Sequence, residues 1–253
     1  MDNESKKRKQ RMIVRSIRGL MGALMLSAIS AFGTMVGGDG ILLYAAEPVE
    51  AEELEYDPWE PFNVSMFSFN RQLDRFVVKP VATVWDTVLP DPVQTSLRNA
   101  IDNLSVVRRV VNNILQLKFE GAGRELVRFT VNSTFGIAGL LDVAKDRLDI
   151  RPSDEDTGQT LGVYGIGFGP YLILPFLSPM TVRDGIGYAI DGAMNPLNYV
   201  LPAGATFGIQ GTNAVNERSL NLDKFEQVEE TAIDLYGAVR NAYFQRRAAA
   251  IKE

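Results

Sequence analysis

The chain is predicted to fold as a mainly α protein, and three features of its 253 residues point there. Apolar residues recur at spacings of three and four through most of residues 57–247. Strand-like alternation is scarce. Two of the periodic runs open with an acid followed by proline, a helix-start signal. A fourth feature interrupts this pattern: residues 157–182 form a glycine-rich apolar run that reads as a hairpin between helices.

The first start signal is Asp57-Pro58-Trp59-Glu60, an N-cap carboxylate with an acid three residues on. Pro61 allows this helix to begin one turn later. From there Phe62, Met66, Phe69, Leu73 and Phe76 form an apolar stripe, with Asn63, Ser65, Asn70, Arg71, Asp74 and Arg75 on the other face. The helix is expected to end before Pro80. Asp91-Pro92-Val93-Gln94 repeats the start device, and a second helix carries Leu97, Ile101, Leu104, Val107, Val111 and Ile114, with Arg98, Asp102, Arg108 and Arg109 opposite. A third covers 122–135, with Leu126 and Phe129 on its apolar side. The last runs over 222–247 through Phe225, Val228, Ala232, Leu235, Val239 and Tyr243. Taken singly, each stripe is accounted for by packing in a soluble bundle.

The apolar run is harder to accommodate. Its 26 residues hold five glycines, three prolines and no charge, which forbids a straight transmembrane helix. It reads as two arms folded back around Gly165, Gly167, Gly169 and Pro170, the candidate hinge. The segment is either the buried centre of the domain or a surface that meets acyl chains.

Ahead of the body the charge is strongly polarised. Residues 1–18 carry seven basic side chains against Asp2 and Glu4, and an uncharged run follows from Gly19 to Val36. Residues 1–46 therefore read as a secretory signal peptide or a retained N-terminal anchor, with candidate cleavage points after Ser30 or near Tyr44-Ala45-Ala46. Residues 47–56 form an acidic linker, and 248–253 a short tail. Residues 61–253 hold 19 basic against 21 acidic side chains, so the body lacks the charge of a nucleic-acid protein.

The chemistry available is narrow. Histidine and cysteine are both absent, which removes Ser-His-Asp and Cys-His nucleophilic sites, the usual zinc sites and disulfides. Gly165-x-Gly167 lacks the third glycine and the acid of a nucleotide loop. Asp154, Glu155 and Asp156 are expected to be solvated, and Asp142, Asp146 and Asp149 do not form a calcium loop. No catalytic, metal-binding or cofactor-binding residue is assigned, and the chain is not expected to be an enzyme.

Six segments, DPWEPFN (57–63), NRQLDRFVVKPVA (70–82), RFTVNSTFGIAGLLDVA (128–144), TLGVYGIGFGPYLILPF (160–176), RDGIG (183–187) and AYFQRR (242–247), together resemble the MlaA (VacJ) family. The resemblance implies a mostly helical, ring-shaped domain embedded in the inner leaflet of the outer membrane, on its periplasmic side, around an amphipathic channel. It implies retrograde phospholipid transport: mislocalised phospholipid is taken from the outer leaflet and passed to a periplasmic lipid-carrier protein, with a trimeric porin as partner and no covalent chemistry. Phe62, Met66, Phe69, Leu73 and Phe76 would then face the membrane. The family's usual acylated cysteine has no counterpart here, so attachment is expected through the amphipathic helices, a porin, or the N-terminal segment. The competing readings are a soluble periplasmic helical scaffold or binding protein with no channel, and a carboxylate-dependent lipid hydrolase.

Overall fold

The computed structural model describes residues 57–252; the signal or anchor and the acidic linker lie outside the described residues. The first helix, α1 (Glu60–Leu73), starts immediately after the acid-proline signal. The Asp57 carboxylate accepts the Trp59 N–H at 3.3 Å, and the Asp57 carbonyl accepts the Glu60 N–H at 3.2 Å. Pro61 falls in the first turn, where a missing donor breaks no intrahelical bond, so the start is not delayed.

The helix does not end before Pro80. A π turn (Asp74–Val78) leads directly into α2 (Lys79–Val88). Within an unbroken α-helix Pro80 would remove a bond and press on an earlier carbonyl. The Lys79 N–H instead reaches back five residues to the Asp74 carbonyl, and the widened turn takes up the proline.

The predicted second helix is two. After α3 (Asp91–Leu104) the chain tightens at Ser105 and resumes as α4 (Val106–Leu115). The Asp102 carbonyl accepts the Ser105 N–H at 2.9 Å and the Arg109 guanidinium at 3.1 Å, so the break leaves that acceptor satisfied. Asp91 is the first helical residue of α3, not a side-chain cap. Then come α5 (Phe119–Thr134), α6 (Val143–Leu148) and α7 (Thr157–Val163), the last two capped by Asp142 and Asp156.

The apolar run folds differently from expectation. Its first part is α7. Gly165–Pro170 is the connector out of that helix, not the corner of a hairpin. The hairpin comes later: β1 (Tyr171–Leu172) pairs antiparallel with β2 (Met180–Thr181), Tyr171 opposite Thr181, and residues 173–179 make the turn. Two prolines inside 173–179 suit a turn and not a strand.

Next come α8 (Val182–Ala193), α9 (Leu197–Val200), α10 (Ala203–Ser219), α11 (Leu222–Thr231) and α12 (Leu235–Lys252). The predicted last helix is thus split between α11 and α12. Residues 248–252 belong to α12 instead of forming a tail, and Ala248 packs on the core. That core is small: Tyr171, Ile173, Tyr243 and Phe244, flanked by Met66, Phe67, Phe168 and Tyr236. Among the main packing contacts are α4 on α5, α7 on α8 and α2 on α10. At the α7–α8 crossing a Cβ on Gly187 would lie 2.3 Å from the Gly158 nitrogen, so only glycine permits the approach.

Candidate functional site

Burial in these helices is inverted. On α1 the fully buried side chains are Asn63 and Asn70, seven residues apart, while Phe62 and Phe69 are exposed. On α5 Glu125, Arg128 and Asn132 point inward and Leu126, Val127 and Phe129 outward. Helix α4 buries Arg109, Asn112 and Asn113 and exposes Val107 and Ile114. Helix α2 buries only Ala82, with Val81, Val84 and Val88 on the outside. Phe76 is 70% exposed and Phe135 76%.

Many of these buried polar groups are paired with backbone or with one another. Asn63 donates to the Tyr171 carbonyl at 2.9 Å and accepts the Ile173 N–H at 2.9 Å. Asn70 donates to the carbonyls of Leu174 (2.9 Å) and Leu177 (3.2 Å) and accepts the Phe176 N–H. Two asparagines on one face of α1 therefore clamp the hairpin backbone as a neighbouring strand would.

Arg109 bridges Glu125 at 2.7 Å and Asp102 at 2.6 Å, and Glu125 also accepts the Ser153 N–H. Burial alone would lower the Arg109 pKa, but the two carboxylates outweigh it and raise it. Arg247 grips Asp156 through two bonds, 2.6 and 2.9 Å, and reaches Asp184 at 2.7 Å. Burial would raise the Asp156 pKa, yet Arg247 holds it below the ordinary carboxylate value. Glu155 accepts from Gln116 and Lys118. Of the three acids expected to be solvated, only Asp154 is. Asp191 ties α8 to Thr157 and Asn112, at 2.6 and 3.2 Å, and burial raises its pKa.

Outward-facing hydroxyls carry a second sign of the same inversion. Exposed Thr83, Thr87, Thr130 and Thr134 each donate to the carbonyl four residues earlier, at 2.6–2.9 Å. Such a bond satisfies the hydroxyl without water. An exterior of large apolar side chains with self-satisfied hydroxyls around a hydrogen-bonded polar interior suits a surrounding of acyl chains. Among the described residues no helix is long and apolar enough to cross a membrane.

A family model described as "MlaA lipoprotein" matches residues 55–250. The chain belongs to the MlaA lipoprotein family. It is 34% identical over 227 residues to the "Intermembrane phospholipid transport system lipoprotein MlaA" of Escherichia coli (strain K12), covering 88% of this chain and 87% of that one. The Haemophilus influenzae protein of the same name is 31% identical over 197 residues, covering 75% and 76%. A Rickettsia felis protein of uncharacterised role is 33% identical over 198 residues, 78% of each chain. A solved structure described as "Structural basis for maintenance of bacterial outer membrane lipid asymmetry" superposes with a TM-score of 0.69 at 31% identity, covering 78% of this chain and all but 1% of that one, a coverage of 99%.

In this MlaA-family chain the predicted membrane-facing residues separate into two groups. Phe62, Phe69 and Phe76 are exposed; Met66 packs on the aromatic core and Leu73 is half-buried. The candidate hinge residues lie together on the surface between α7 and β1. Gly165 (φ +83°) and Gly169 (φ +68°) occupy the left-handed region, whereas Gly167 does not, and a Cβ at Gly165 or Gly167 meets nothing within 4 Å. Sequence reasoning missed the buried asparagines. The available signal was asparagine, a weak helix former, recurring within the helical runs at positions 63, 70, 103, 112, 113 and 132.

Proposed function

We propose that this protein is the outer-membrane component of a retrograde phospholipid pathway. It sits on the periplasmic side with its apolar exterior in the inner leaflet, its helices arranged as a ring. Mislocalised phospholipid leaves the outer leaflet through an amphipathic channel and passes to a periplasmic lipid carrier, with a trimeric porin alongside. The inverted burial carries this reading: apolar faces turned outward meet acyl chains, while the polar groups are gathered inside, away from them. The near-neutral body suits a cargo that must be released. No bond is made or broken, so no catalytic residue is required. The exposed Gly165–Pro170 connector is the gate.

Deleting the gene should raise outer-leaflet phospholipid, and the intact chain should restore the normal level. The protein should stay with outer membranes through a high-salt wash and leave with detergent. Normal outer-leaflet phospholipid in the deletion strain contradicts the proposal, and release by salt alone returns the chain to a soluble scaffold.

A further inference from the structure

A cavity of about 330 Å3 opens where α1, the π turn and α2 meet α11, lined by Arg71, Asp74, Arg75, Lys79, Glu226 and Glu229. A second hollow, about 220 Å3, shares Arg71 and Arg75 and is bordered by Phe76. The three cations are four residues apart, and the wide π turn between them keeps that spacing near one line.

These groups are not equally committed. Asp74 is mostly buried and held by Arg218 through bonds of 2.9 and 3.1 Å, so it does not neutralise the cavity. Glu229 pairs with Arg71, and Glu226 with Lys79 at 2.6 Å; all four side chains are well exposed to solvent. Exposed pairs of this kind are weak and readily exchanged. Arg75 has no carboxylate partner among the described residues, and its guanidinium lies 5.7 Å from the Phe76 ring centre. Among the described side chains, three cations thus face two loosely held carboxylates, leaving one positive charge unmet, the complement of a phosphodiester. The apolar exterior begins beside it at Phe76, Val77 and Val81. Cations with acyl-compatible surface alongside are placed as at a headgroup level.

We propose that Arg71, Arg75 and Lys79 form a binding site for the phosphate of a phospholipid headgroup, with Glu226 and Glu229 of α11 as built-in competitors that the phosphate displaces. The proposal rests on the phospholipid-handling reading above. It adds a site on the outside of the helix pair and makes α11 the element that responds to occupancy.

The test uses the full chain in neutral detergent. Because the sequence lacks cysteine, a fluorophore on Ile233→Cys, in the exposed link just after α11, is the single label and reads movement at that end of the helix. Titration with short-chain phosphatidylglycerol should give a saturable signal. Arg71→Gln/Arg75→Gln should weaken binding about tenfold or more with helicity unchanged. Glu226→Gln/Glu229→Gln should tighten it, by about two- to fivefold per carboxylate. Unchanged binding in the arginine variant, or weaker binding in the glutamate variant, overturns the site. Inorganic phosphate should compete only at far higher concentration; competition at equal concentration assigns the site to free phosphate and overturns the lipid assignment. Outer-leaflet phospholipid is scored in cells carrying the same variants. If the intact chain fails to lower it, the transport reading fails. If the intact chain succeeds while the arginine variant binds normally, only the site fails.

Discussion

Asn63 and Asn70 show what a single side chain does in this fold. Each spends both ends of its amide on the backbone of residues 171–177, and no water is needed. Asn63→Leu keeps the branching at Cγ but is larger, and it strands a buried carbonyl and a buried N–H. A loss of about 2–4 kcal/mol is expected, read as a lower melting temperature by circular dichroism in detergent. Ser65→Ala, on the exposed face of the same helix, should change it by less than about 0.5 kcal/mol. Glu217, buried on α10, supplies a pH-dependent counterpart. Burial and the nearby Asp102 push its carboxyl up to about 7, against an opposing pull from Arg98. Between the ordinary value of 4.5 and about 7 the folded protein binds more protons than the unfolded chain. The stability gained from the neutral carboxyl is therefore complete below 4.5 and lost as pH rises through 7. Glu217→Gln should be more stable than wild type at pH 8.5, on the order of 1–3 kcal/mol, with the difference fading toward pH 4.5.

At the scale of elements, helical periodicity located α1, α3, α4 and α5 but left their orientation open. A stripe of Phe62, Phe69 and Phe76 opposite Asn63 and Asn70 has the same spacing whichever face is buried. What decides the matter is long-range: the asparagines meet a hairpin more than 100 residues away. Boundaries failed for equally specific reasons. The π turn absorbed Pro80, and the Arg109 side chain satisfied the carbonyl that the break at Ser105 releases. In the apolar run, the absence of charge indicated a special segment, but glycine marked the connector and proline the hairpin turn. That connector yields a sharp comparison. Gly165→Ala forces alanine to a positive φ and should cost about 1 kcal/mol. Gly167→Ala has open space and no such φ, so stability should stay within about 0.5 kcal/mol. If the connector gates transport, Gly167→Ala raises outer-leaflet phospholipid at unchanged melting temperature. Normal outer-leaflet phospholipid in both variants removes the gate.

For the molecule as a whole, the claim on which the rest depends is that the apolar exterior is immersed in acyl chains. The family likeness was legible in six segments in order, and these carry both asparagine clamps, Gly187 of the tight glycine crossing, and the Arg247 and Asp184 members of the ion cluster. Periodicity alone left the inverted burial open, since it depends on which faces meet in space. The outward stripe on α1 was expected only through the family resemblance, and Phe62, Phe69 and Phe76 are exposed as that implied, whereas Met66 and Leu73 are not. Phe76→Asp should remove membrane association while leaving helicity intact, because this side chain packs against little of the protein; sedimentation with outer membranes, alongside circular dichroism, checks it. The most direct measurement places single spin labels on the cysteine-free chain at Phe76, Val84 and Phe135, with a control at solvated Asp154, in phospholipid bilayers. The three exterior labels should relax readily with oxygen and be shielded from a water-soluble nickel chelate, while the Asp154 label shows the reverse. Exterior labels open to the nickel chelate like the control would place those faces in water and contradict a membrane-embedded, phospholipid-handling protein.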